Sequence, residues 1–153
     1  MTPEKALEKL GKYVDPIRSG LNKPFELNGY TVASNGVFTI MTKHSDIKGI
    51  IGLDNRYTRE LNRLAFHKIE ETIFFHARQE FKNHIGTQRE VNLFLNGFVF
   101  KRGDLLEAID IFDKKEGFLL GFKEVKDTIA VAVFMDLKIE NLILVTNITR
   151  KEW

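Results

Sequence analysis

Cysteine is absent from this 153-residue chain, and proline occurs only three times. The first absence excludes disulfide frameworks, thiol nucleophiles, cysteine-ligated zinc and thioether haem attachment together, and a reducing cytoplasm fits it best. No proline lies beyond Pro24 and no glycine-serine tract occurs, so no linker divides the chain. An apolar run approaching the ~20 residues of a membrane helix is also missing. The opening MTPEKALEKLGKYV has the charge spacing of an amphipathic helix rather than of a signal peptide. These absences predict a cytoplasmic protein with no membrane partner. Neither sign of charge dominates, with 23 basic against 21 acidic residues and a net charge of +2. Any cationic surface must therefore be a local stripe rather than a global field. The phosphate-cradling glycine motifs G-x-x-x-x-G-K-[ST] and G-x-G-x-x-G are missing, as is the nucleophile motif G-x-S-x-G. The chain is accordingly read as non-catalytic and without a cofactor.

What is present describes one α+β domain over residues 1–153, divided into a first half (1–55), a long helix within 56–86 and a second half (87–153). Thr2 and Pro3 open a short helix with Leu7, Leu10 and Val14 on one face, stopping near Asp15 and Pro16. Three β-rich runs follow, separated by Asn28-Gly29 and Asn35-Gly36. Asn-Gly is the strongest short-range hairpin signal, because both central residues of the tight turn must accept positive φ. From Arg56 to about Lys82 the period changes, with Leu61, Ala65, Ile69, Ile73, Ala77 and Phe81 at successive steps of four, which predicts a long helix. Gly86 ends it. A third Asn-Gly step, Asn96-Gly97, joins two further strands, and Leu105, Leu106, Ile109 and Phe112 predict a second helix before three closing strands over 118–123, 128–137 and 142–148. The element order suggests a duplication of β-α-β-β-β units with the long helix inserted between them.

Two stretches carry a resemblance. Phe98-Val99-Phe100-Lys101-Arg102-Gly103-Asp104-Leu105-Leu106-Glu107-Ala108-Ile109, with the strands after it, resembles the half-domain of DNA sliding clamps, the polymerase processivity factors. Tyr30-Thr31-Val32-Ala33-Ser34-Asn35-Gly36-Val37-Phe38 is similar to a strand-turn-strand segment of the same family. Together they cover less than half the chain. The resemblance implies a role in DNA replication, with duplex DNA and a replication protein as partners and a homo-oligomer of six copies if a ring is to close. Two departures stand out: Asp104, Glu107, Asp110 and Asp113 on the second helix would repel phosphate, and the long helix has no counterpart in the family.

The candidate DNA-binding residues are Lys5, Lys9 and Lys12, spaced i, i+4, i+7 on the first helix, and Arg56, Arg59 and Arg63, continued by His67, on the long one. Each phosphate they neutralise would steepen the salt dependence of binding by counterion release, and arginine grips phosphate in a fork that lysine lacks. The plain reading of both stripes is a solvated helix face, since Glu4, Glu8 and Glu60 stand beside them. A metal centre is the sharpest catalytic alternative, through His76 with Glu80 and His67 with Glu70. No spacing assures the third ligand a catalytic zinc needs, so no metal is assigned. Thirteen phenylalanines, among them Phe74-Phe75 and Phe94, are either core or an exposed protein-binding patch. Gln88, Val91, Leu93 and Phe94 are similar to the short peptides that dock into clamps, although they also read as a strand. C-terminal Trp153 is either packed or an exposed anchor. The second functional expectation is thus an accessory or inhibitory module, of the kind carried by phage or mobile elements, that binds a host protein and no nucleic acid.

Overall fold

A computed structural model describes Lys5, Leu7 and residues 23–35, 37–54, 58–59, 61–62, 71–111, 117–126 and 128–148. Among the described residues, the elements that can be bounded are nine strands and two helices: β1 (Phe25–Leu27), β2 (Tyr30–Ser34), β3 (Phe38–Thr42), β4 (Thr72–Phe75), α1 (Arg78–Ile85), β5 (Asn92–Leu95), β6 (Phe98–Lys101), α2 (Arg102–Ile109), β7 (Phe118–Lys126), β8 (Ile129–Asp136) and β9 (Asn141–Thr146). The fold is mixed α+β. Seven strands form one antiparallel sheet in the order β1-β2-β3-β9-β8-β7-β4, and β5 and β6 form a separate hairpin.

Two of the three Asn-Gly steps act as expected. Asn28 and Gly29 have φ of 52° and 84°, and Asn96 and Gly97 have 52° and 86°, the double positive φ that a two-residue hairpin of matching twist requires. At the Asn35-Gly36 step, where Asn35 does not have positive φ, β2 and β3 pair with Ser34 opposite Thr39. There Asn35 Oδ1 accepts the N–H groups of Val37 (2.9 Å) and Phe38 (2.8 Å), tying its amide across the turn.

Both faces of the sheet are buried. Along β8, Val131, Val133 and Met135 join one apolar cluster while Ala132 and Phe134 join the other, and β9 alternates likewise between Leu142, Leu144 and Ile143, Val145. A period of two places successive side chains on opposite faces, and double-sided burial is why β8 and β9 read as nearly unbroken apolar runs. On one face lie the helices, through Phe81 and Ile85 of α1 and Leu105, Leu106, Ala108 and Ile109 of α2, joined by Leu7 and Phe100. Its centre is aromatic: Phe75 stacks on Phe118 at 5.5 Å and meets Phe81 edge-on at 5.1 Å, and Phe81 meets Phe134 at 5.6 Å. On the other face Leu61 packs with Phe25, Val32 and Met41.

The expected long helix over residues 56–86 is corrected. Thr58, Arg59, Leu61 and Asn62 are helical, but Thr72–Phe75 is a strand paired with β7, and α1 begins only at Arg78. Thr-Ile-Phe-Phe is a β-rich tetrapeptide, and pairing with β7 buries Phe75 in the aromatic cluster, which outweighs the period-four pattern. The expected pair of β-α-β-β-β units is not seen among the described residues. The order β6-α2-β7-β8-β9 occurs, but β6 belongs to the separate hairpin, and β4 and α1 fall outside that plan. Two three-stranded meanders do meet, β3 lying antiparallel to β9, so that their strands run in mirrored order across the sheet.

Candidate interaction surface

The two ends of the sheet are finished differently. At β1 the segment ending in Ile50 closes the edge: Glu26 N–H donates to Ile50 O (2.8 Å) and Ile50 N–H donates to Pro24 O (3.0 Å). Gly49 permits this approach, since a Cβ there would stand 2.7 Å from the Phe25 carbonyl carbon. Its N–H donates to Glu26 Oε1, which also accepts from the Thr31 hydroxyl. At β4, among the described residues, no backbone pairs with the outer edge. Ile73 is 51% exposed on one face of this strand and Phe74 41% exposed on the other. An open edge carrying apolar side chains and no strand-breaking proline or charge is a template for another chain.

The edge is held at its C-terminal end. The Phe74 ring lies over the backbone of Gly117, where a Cβ would stand 2.5 Å from Cζ, and meets the His76 ring edge-on at 4.7 Å. Ala77 is the N-cap of α1 and offers no side-chain acceptor. Glu80 in the first turn compensates by reaching back: its Oε2 accepts the His76 backbone N–H at 2.7 Å and lies 3.1 Å from His76 Nδ1. The backbone N–H, then the imidazole, hold the Glu80 carboxyl below its ordinary pKa. On the far side of α1, Arg78 Nη1 donates to Asp110 O (3.2 Å), and Arg78 and Lys82 lie 3.6 Å and 3.5 Å from the Asp110 carboxylate, bracing α1 against the end of α2.

Of the six residues proposed for DNA binding, the structure describes Lys5 and Arg59. Lys5 is exposed on helical backbone. Arg59 donates from Nε to Asp54 Oδ1 at 2.8 Å, both side chains being largely in solvent. Lys9, Lys12, Arg56 and Arg63, with His67, Glu70, Asp113 and Trp153, lie outside the described residues. Asp110, the C-cap of α2, pairs with the cations of α1, and within α2 burial pushes the half-buried Asp104 carboxyl up, with Lys101 opposing. Among the described residues no three His, Asp or Glu side chains converge as metal ligands; the His76–Glu80 pair is a helix cap. The Gln88–Phe94 segment contributes β5, with Leu93 packed on the core and Phe94 72% exposed. The β4 edge went unread because its residues also fit a helical period; the run Thr72-Ile73-Phe74-Phe75 was the signal that marked it. No described helix is long and apolar enough to cross a membrane. Comparison with family models, curated proteins and solved structures finds no match.

Proposed function

We propose that this chain is a non-catalytic interaction module whose protein partner adds an extended segment to the outer edge of β4. The supporting observation is an outer edge that no backbone pairs among the described residues, with half-exposed Ile73 and Phe74 on its two faces. Main-chain groups of such an edge supply affinity, and the flanking side chains supply selectivity. The test is photocrosslinking of the full chain in its own cytoplasm, with benzoylphenylalanine at position 74 and, as a control, at exposed position 59. One recurrent adduct from position 74 alone, lost on Ile73→Lys, is expected. Adducts identical at both positions, or none from position 74, would overturn the reading.

A second reading keeps the chain in DNA transactions, as a clamp-like domain bearing Lys5, Lys9, Lys12, Arg56, Arg59 and Arg63. What favours it is the mirrored order of the two meanders about the β3–β9 pair. It requires a closed six-copy assembly by light scattering, and DNA retention that falls steeply with salt and disappears when Lys5, Lys9 and Lys12 become glutamate. A monomer indifferent to duplex DNA would end it.

A further inference from the structure

We propose that Asn96, at the tip of the β5–β6 hairpin, is the preferred site of spontaneous deamidation in this chain, and that Asn62 shields Asn28 from the same reaction. The chain has three Asn-Gly steps, at 28, 35 and 96. Glycine has no Cβ to screen its nitrogen, so the step after asparagine is open to attack on the side-chain amide.

Asn28 and Asn96 form an internal comparison. Their φ values are both 52°, the following glycines have 84° and 86°, both asparagines are exposed, and nothing crowds either glycine within 4 Å. They differ in one bond. Asn28 Nδ2 donates to Asn62 Oδ1 at 2.6 Å, whereas the Asn96 side chain has no hydrogen-bond partner among the described residues. Asn35 is held by two backbone donors on its Oδ1. To react, the amide must rotate so that its carbon meets the next backbone nitrogen. Asn28 and Asn35 must first break these bonds, and Asn96 need break none.

In the reaction the Gly97 nitrogen bonds to Asn96 Cγ, the Cγ–Nδ2 bond breaks, and ammonia leaves with the proton from Gly97. Water then opens the resulting succinimide at either carbonyl, giving aspartate or isoaspartate; the net change is amide plus water to acid plus ammonia. The isoaspartyl product threads the former side-chain carbon into the backbone between Leu95 and Phe98, which now face each other across the hairpin. Because β6 runs directly into α2 at Arg102, the lesion lies one short strand from the helical side of the core.

The folded full-length protein is incubated at mildly alkaline pH and its peptides are mapped by mass, with an isoaspartate-specific methyltransferase as a second readout. Acid is expected at position 96 several-fold sooner than at 28 or 35, with the three rates converging in denaturant. Asn62→Ala, at an exposed position, is expected to bring position 28 up towards position 96, leaving 96 unchanged and the circular dichroism native. Asn28 or Asn35 keeping pace with Asn96 in the folded chain, or the same order persisting in denaturant, would overturn the site. An unaltered rate at 28 in the Asn62 variant would overturn the shield.

Discussion

Asn147 shows how one polar side chain can secure a sheet. It is 7% exposed, and its amide serves three backbone groups: Oδ1 accepts the Ala130 N–H at 3.0 Å, while Nδ2 donates to Thr128 O and Ile148 O. Its own N–H donates to Ala130 O, so the start of β8 is fastened to the chain leaving β9. Replacing it with alanine strands a buried donor, and we expect Asn147→Ala to cost roughly 1–3 kcal/mol in urea unfolding; an unchanged midpoint would contradict this role. Asp104 is the opposite case. Burial holds its carboxyl above the ordinary range, so its ionisation opposes folding: the stability is fully present below the unfolded aspartate pKa and declines as pH rises through the folded one. Asp104→Asn should therefore stabilise the protein at neutral pH, and the gain should vanish near pH ~3, where both states carry the proton. A gain that persists in acid would assign the effect to something other than charge. Neither role could be read from sequence, because both depend on what the fold places beside the residue.

At the scale of elements, what could be read from sequence was what is determined locally. The hairpin turns were legible because positive φ at Asn28 and Asn96 is a property of two adjacent residues. The helix at 102–109 and the closing meander were legible from their periods, to within a few residues. The strand β4 was not, since Ile73, Ala77 and Phe81 satisfy a helical step of four, and only pairing with Gly121, Leu120, Leu119 and Phe118 of β7 decides the matter. That pairing divides the strand's side chains sharply. Phe75 is buried against Phe81 and Phe118, so Phe75→Ala should cost about 3–5 kcal/mol. Ile73→Lys, on the same face but half in solvent, should shift thermal unfolding little while abolishing partner capture. Equal destabilisation by the two would mean that Ile73 belongs to the core. The basic stripes lie mostly outside the described residues, and charge spacing on a helix face describes solvation as well as it describes phosphate contact.

At the scale of the whole molecule, one sheet carries the protein, and its centre is the contact between β3 and β9. Phe38 through Thr42 lie opposite Val145 through Asn141. Closing a loop of roughly 100 residues to form that pair costs about 4 kcal/mol of chain entropy before any contact offsets it. Such non-local wiring slows folding relative to helical proteins of equal length. It also sets an order of events during synthesis. The meander β1-β2-β3 leaves the ribosome long before β9 exists, and the inner edge of β3, with Ile40 and Met41 beside it, stays open until residues 141–146 emerge. A fragment of residues 1–55 should consequently show no cooperative melting and no dispersed amide spectrum, and a folded fragment would refute this dependence. The nascent first half is thus a client for whatever shields unpaired strands in the cell, and its exposure ends only when the last strand of the sheet has been translated.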